Sequence, residues 1–360
     1  MYMRLTVLVA SAMVLLLSCA APGSGRQQAV PPARGAAEAA TPAAAGSSAA
    51  PTALRPVRLA YGFVSAEVIP MWIALEQGIY TKYRLAIEPI LLQTSAQIAP
   101  AMAAGEVDIA LTAGAGVVDI DLAGGDQVLI LSQNNMMRFF LHARPDIPNI
   151  ESLRGKRVAI TRLGSGIHLA TYIVLQRAGL EAGRDVQLAQ AGTVDAALTA
   201  LVSGGVDAAM LSLPTNLLAE RQGFPLLADL KDYRVPYMQG ALAVTRGTLE
   251  TRYALVQDFV RAHLEAMGVA KRDPALATRL LGKYTQTDDQ DLLERSYRIW
   301  VEDLADPPYP SLEAVQTVLD QRAPEVPAAR TANPRDFVDD RILRELEASG
   351  FLQRALAGTP

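Results

Sequence analysis

The stretch VAITRLGSGIHLATYIVLQRAGL, residues 158–180, decides the fold. An apolar run ending at Ile160 reads as a strand. Thr161, Arg162 and Gly-Ser-Gly follow, then a long amphipathic segment stopped by Gly179, which reads as a helix. A strand, a glycine turn and a helix start can cradle a phosphate, present a serine nucleophile, or close on another small ligand. LGSGI lacks the spacing of a nucleophile elbow, and RGKRV has a Gly-Lys pair but no P-loop spacing and precedes its strand. His168 lies three residues beyond Ser165 and could reach its hydroxyl, yet nothing local supplies the orienting acid of a triad.

The same order of elements recurs on both sides. PVRLAYG (56–62) and LAIEPILLQ (85–93) read as strands around the helical VIPMWIALEQGIYTKY (68–83), which Gly78 interrupts. AQIAPAMAAG (helix), VDIALT (strand), AGVVDIDLAGG (helix) and QVLILSQ (strand) continue the alternation to residue 133. After residue 155 it restarts: KRVAIT, the helix from Gly166, VQLAQAG, TVDAALTALVSGG, VDAAMLS and PTNLLAERQGF. Short apolar runs alternating with helices signal an α/β chain with parallel sheets. AMAAGEVDIALTAGAG (101–116) echoes ALVSGGVDAAMLSLPT (200–215), each running helix, glycine stop, Val-Asp, strand, small polar turn. Either any αβ unit looks like this, or two similar lobes face each other. A strand, GALAVTR (240–246), then leads into mostly helical sequence, in which Thr287 and Asp288 are cap candidates.

Composition narrows the classes. The chain has 360 residues, enough for two lobes, and a net charge of −4 with no basic stripe, which argues against nucleic acid. One cysteine permits no intrachain disulfide and no cysteine-based zinc site, and the three histidines form no metal-helix pair. No cofactor and no metal is expected. TAGAGVVD begins like a dinucleotide motif, but Asp119 stands where its third glycine belongs. Residues 1–18 carry Arg4 and an apolar Leu5–Leu17 run, the anatomy of a secretory signal and too short to span a bilayer. Cys19 follows in LLSC, which resembles a lipoprotein lipobox, so lipidation of Cys19 is expected. Residues 19–54 are rich in Ala, Pro, Gly and Ser and read as a disordered tether.

Taken together, VRLAYGFVSAEVIPMWIALEQGIYTKY, MAAGEVDIALT, LRGKRVAITRLGSGIHLATYIVLQRAGL, GGVDAAMLS and FVDDRILRELEASGF resemble substrate-binding proteins of bacterial importers for nitrate, sulfonates, taurine and thiamine precursors, the NMT1/THI5-like group. The resemblance covers nearly all of 55–355 and implies a two-lobed, type II periplasmic-binding-protein fold with a helical C-terminal extension. One lobe would hold 55–142 and 240–360, the other 144–236, with crossings near 138–145 and 234–241. It implies a monomeric lipoprotein at the outer side of a membrane that hands a small solute to ABC permease subunits. The solute would be a sulfonate, a nitrate-like anion or a thiamine-pyrimidine-type heterocycle. Two rivals stand beside it: a thiamine-pyrimidine-synthase-like enzyme of the same fold, whose cysteine-rich motif this chain lacks, and a tethered ligand sensor.

In open α/β sheets, ligands bind beyond the carboxyl ends of strands. The turns there are FVSAE (63–67), TAGAG (112–116), TRLGSG (161–166) and SLPT (212–215). The candidate binding residues are accordingly Ser65, Glu67, Thr112, Ala113, Thr161, Arg162, Ser165, Gly166, Ser212 and Thr215, with Asn134 before a crossing. Their hydroxyls could meet a ligand or simply cap helices. Arg162 could grip an anion. Glu67 would repel one, and could instead accept from an amine or aminopyrimidine. Tyr61, Trp72, Tyr237 and Gln239 are further lining candidates, although Trp72 falls inside a helix.

Overall fold

The computed structural model describes residues 53–92 and 95–357. The expected signal segment, Cys19 and most of the tether lie outside that range.

The first lobe begins with β1 (Arg55–Tyr61), α1 (Ile69–Glu76), α2 (Ile79–Lys82), β2 (Leu85–Leu91), α3 (Ser95–Ala103), β3 (Ile109–Thr112), α4 (Gly114–Leu122) and β4 (Gln127–Ser132). The second holds β5 (Phe140–Ala143), β6 (Arg157–Ile160), α5 (Gly166–Arg177), β7 (Gln187–Gln190), α6 (Val194–Val202), β8 (Ala208–Leu211), α7 (Thr215–Arg221) and β9 (Leu226–Asp229). The chain then returns through β10 (Ala241–Thr245), α8 (Arg246–Thr251), α9 (Tyr253–Arg272), α10 (Pro274–Thr285), α11 (Gln290–Glu302), α12 (Leu312–Arg322), α13 (Arg341–Ala348) and α14 (Phe351–Ala357). Gly78 separates α1 from α2 in a left-handed conformation, which glycine adopts without a Cβ penalty.

Among the described residues the strands form two five-stranded sheets, ordered β2-β1-β3-β10-β4 and β7-β6-β8-β5-β9. The topology is the same in both. A parallel trio on one side is extended by one antiparallel strand, β10 or β5, that arrives from across the molecule, and β4 or β9 closes the other side. The echoed Val-Asp pairs do the same work in each sheet. Asp108 N–H donates to the Arg58 carbonyl, and the Asp108 carboxylate accepts from Arg58 N–H at 2.8 Å. Asp207 and Arg157 repeat both bonds, again at 2.8 Å, and again 50 residues apart. The echo is therefore structural, and each carboxylate completes a strand pairing where the ladder begins.

Asp108 carries more. Its carboxylate also takes Arg58 Nη2 at 3.0 Å and Arg252 Nη1 at 2.6 Å. Burial pushes its carboxyl up, but the bonds from Arg58 and the charge of Arg252 outweigh that and hold it below the usual range. Asp108→Asn is expected to cost about 2–3 kcal/mol, read from chemical denaturation. Because the folded group titrates lower than the unfolded one, its stabilisation is present at neutral pH and fades as pH drops below the ordinary aspartate value. The mutant's deficit should fade over the same range. Equal stability of the two proteins at pH 7 would contradict this account.

The sequence places the first crossing near 138–145. Phe140–Ala143 instead pair with β8 and β9 inside the second sheet, so the chain crosses over 133–139. The two crossings bind each other as a short antiparallel ribbon. Met137 N–H donates to Val235 O and Tyr237 N–H to Asn135 O, flanking a Met136–Pro236 bridge. A third pass of chain joins them: Ala305 N–H donates to Gln133 O, Ser132 N–H to Pro308 O, and Asn135 Nδ2 to Tyr309 O.

The C-terminal helices build on the first lobe but reach the second. Thr287 and Asp288 are not the cap of α11; Asp289 is, accepting from Leu292 N–H. Leu292 of α11 is buried with Phe140, Leu213 and Leu217 of the second lobe. Around that contact, Arg295 pairs with Glu220 and Arg221 with Asp289 and Asp291.

Candidate functional site between two carboxyl edges

The C-terminal ends of β1, β3 and β4 lie along one edge of the first sheet, with the start of β10 among them, Ala241 standing opposite both Thr112 and Ser132. In the second sheet the ends of β6 and β8 and the start of β5 make the matching edge, Phe140 standing opposite Leu211. Both crossings leave from one edge and arrive at the other. Tyr237 and Met238, adjacent in the second crossing, mark how near the edges come. A Cβ on Gly166, the first residue of α5, would fall 2.4 Å from Tyr237 Oη, and one on Gly114, the first of α4, would fall 3.0 Å from Met238 Cβ. The starts of α5 and α4 therefore flank the same two residues. Helix starts carry free N–H groups and partial positive charge, suited to acceptors on a ligand.

The predicted site residues divide by whether their polar groups are already used. Ser165 is the N-cap of α5: its hydroxyl accepts from His168 N–H and from the Thr161 hydroxyl and donates to Arg162 O. Thr161 and Ser165 thus hold the turn together. Thr215 donates to Asp195 Oδ1. Asn134 Oδ1 accepts from the N–H groups of Gln239 and Gly240, and Gln239 Oε1 accepts from Arg138 N–H, so Asn134 and Gln239 brace the hinge. Ala113 is the extended N-cap of α4 and offers backbone only. Trp72 is core, stacked on Tyr284 at 4.6 Å between ring centroids.

Other groups are unspent. The side chains of Arg162 and Ser212, both half-buried, and of buried Thr112 hold no hydrogen bond or ion pair among the described residues. Tyr237 Oη, Gln133 Oε1 and Asn216 Oδ1 are buried without partners. In the sequence Gln133, like Asn134 and Asn135 beside it, reads either as a ligand contact or as a hinge-turn residue, and nothing singles out Asn216. The position of each beside a strand end was visible, but which amides find partners depends on the fold. Ser65 donates its hydroxyl to Glu67, a residue 5% exposed whose carboxyl pairs with no basic group among the described residues. Burial pushes that carboxyl above the usual range, against the pull of Ser65.

His168 does not activate Ser165. Its Nδ1 accepts from Gly164 N–H at 3.2 Å, and burial followed by the charge of Arg322 lowers its pKa. Asp119, which broke the dinucleotide pattern, accepts a two-pronged bond from Arg322 at the end of α12, and the same guanidinium donates to Gly164 O at 2.9 Å. Arg322 thus joins α4 of the first lobe to the glycine turn of the second. Among the described residues no cluster of three potential metal ligands occurs, and no helix is long and apolar enough to cross a membrane. A cavity of about 410 Å³ lined by Arg246, Glu250, Asp339 and Arg341 lies at the opposite edge of the first sheet. Its Arg246 is paired with Asp121 and its Arg341 with Asp339, so it offers no free charge from either arginine.

Two like-built α/β lobes joined at their carboxyl edges by a paired hinge define the periplasmic-binding-protein fold. The NMT1/THI5-like family profile matches residues 65–277, more than half of the sequence, and the chain belongs to that family. Among solved structures it is similar to the periplasmic aliphatic sulphonate binding protein SsuA from Escherichia coli, at 20% identity over 79% of this chain and 92% of that one, TM-score 0.65. The alkanesulfonate-binding protein SsuA from Xanthomonas axonopodis, bound to MOPS, matches at 19% identity over 79% and 98%, TM-score 0.66. The periplasmic nitrate-binding protein NrtA from Synechocystis matches at 15% over 84% and 90%, TM-score 0.68. No curated protein matches by sequence.

Proposed function

We propose that the chain is the solute-binding protein of an ABC importer, held at the outer face of a membrane by a lipid on Cys19. It captures a small polar solute between the two carboxyl edges and delivers it to the permease. The observation that carries this reading is the set of unspent polar groups, Arg162, Ser212, Thr112, Tyr237 and Gln133, with the cation-free acid Glu67, at edges that a paired hinge joins. Family membership and the names of the sulfonate- and nitrate-binding neighbours support it. The enzyme reading within the same family draws no support from the turn at Ser165, whose hydroxyl is committed to capping. There is also no cysteine beyond Cys19 to supply a cysteine-rich motif.

The test is thermal stability against sulfonates, nitrate, aromatic acids and amino-substituted heterocycles. A ligand at about 100 times its Kd adds about 2.7 kcal/mol, which raises Tm by several degrees. No shift with any polar metabolite would refute the proposal.

A further inference from the structure

We propose that Glu67 selects the solute: the ligand presents a nitrogen bearing N–H groups, as an ammonium, an amidinium or an amino group on a ring, to the Glu67 carboxyl. This rests on the solute-binding reading and narrows it.

Glu67 sits in the turn between β1 and α1, at the carboxyl edge of the first sheet. Carboxylates in protein interiors are normally paired with a cation or held by several donors, because an unpaired buried charge is costly. Here the Ser65 hydroxyl, with one proton to give, is the side-chain donor to an acid that is 5% exposed. Asp303, whose charge also pushes the Glu67 carboxyl up, has its own cation, Arg138, which Asp229 shares. Gln133 reaches the same place but offers no help: its Nε2 donates to the backbone carbonyl of Glu67 at 2.9 Å. That bond fixes the amide so that the orphan group of Gln133 is its acceptor, Oε1. Both side chains converge on Gly240, where an added Cβ would meet Gln133 Nε2, Glu67 Cβ and Glu67 Cγ, each at 3.2 Å. One spot at the edge therefore brings together the side chain of Glu67, whose carboxyl has the Ser65 hydroxyl but no cation, and that of Gln133, whose oxygen has no donor.

A sulfonate or nitrate brings acceptors and negative charge, so it leaves those oxygens unsatisfied and is repelled by the acid when ionised. An N–H-bearing nitrogen satisfies both. Arg162 and the start of α5 remain for an acceptor elsewhere on the same solute.

Calorimetry on the full-length protein in detergent with matched probes tests this. Suitable pairs are ethanesulfonate with 2-aminoethanesulfonate, benzoate with 4-amidinobenzoate, and pyrimidine with 4-aminopyrimidine. The nitrogen-bearing member of at least one pair is expected to bind more tightly than its partner. Glu67→Gln should weaken that binding about 10- to 100-fold. The same variant, which loses no ion pair, should melt at or above the wild-type temperature at neutral pH without ligand; a purely structural acid would lower it. On the wild type alone, binding a cationic probe should release protons, and its affinity should rise with pH through the titration of Glu67. Preferential binding of the nitrogen-free members, or unchanged affinity in Glu67→Gln, overturns the inference and leaves the solute-binding reading standing. Binding by none of these probes and none of the wider metabolite panel overturns both.

Discussion

Arg322→Glu is expected to part the two lobes and to cost about 2–4 kcal/mol. The arginine donates through Nη2 to Asp119 Oδ2 at 2.7 Å and to Gly164 O at 2.9 Å, with its Nε on the other carboxylate oxygen. Its side chain is 14% exposed and that of Asp119 34%, so the pair is screened less than a surface pair but more than a fully buried one. A glutamate there would face Asp119 with like charge and leave the Gly164 carbonyl without its donor. Asp119 alone could be solvated; the glycine turn could not keep its place against α12. Small-angle scattering should show a larger radius of gyration, and the melting temperature should fall by several degrees. The swap Asp119→Arg with Arg322→Glu should recover much of the stability but not the bond to Gly164. Unchanged scattering and melting in the single variant would show that Arg322 does not hold the lobes.

The second large effect is expected at Gly268, one turn before the end of α9. An added Cβ would lie 1.9 Å from the carbonyl oxygen of Ala355 in α14 and 3.0 Å from its carbon. Taken alone, alanine favours a helix over glycine by about 1 kcal/mol. The clash is with backbone, however, and backbone cannot rotate away, so α14 must lift from α9. Leu352, Ala355 and Leu356 would then leave the first-lobe core. Gly268→Ala should therefore destabilise by about 3 kcal/mol despite the propensity gain. Hydrogen exchange should show protection lost first in 351–357. A variant as stable as the wild type would mean that α14 does not pack against α9 as described.

Much of the fold was legible because period and punctuation agreed. The Val-Asp echo at 107–108 and 206–207 proved to be one strand-entry device used twice. Strands β5 and β9 were not legible. Both are four residues long, β5 is buried throughout, and a strand hidden on both faces shows no alternation. Missing β5 is what displaced the first crossing. The site was legible as a set of turns but not as a set of free groups. A Ser or Thr before a helix reads the same whether it caps, as Ser165 does, or stays unbonded, as Ser212 does. Asp119 looked like a defect in a glycine motif, and its partner Arg322, 203 residues away, could not be inferred from local pattern. Glu67 stood out by charge alone; its lack of a cation is a property of the packed structure.

The insertion of β10 between β3 and β4 has a consequence for how the molecule comes into being. The second sheet is complete once Asp229 has emerged, since all its strands lie within 140–229. The first sheet lacks a strand between β3 and β4 until Ala241–Thr245 is made, and its helical layer waits for α9, α10 and α14. Contacts of such long sequence separation form late, because a long loop must close before any of them is rewarded. During vectorial synthesis the first lobe therefore remains unfinished until nearly the whole chain is available, while the middle of the chain can already be native.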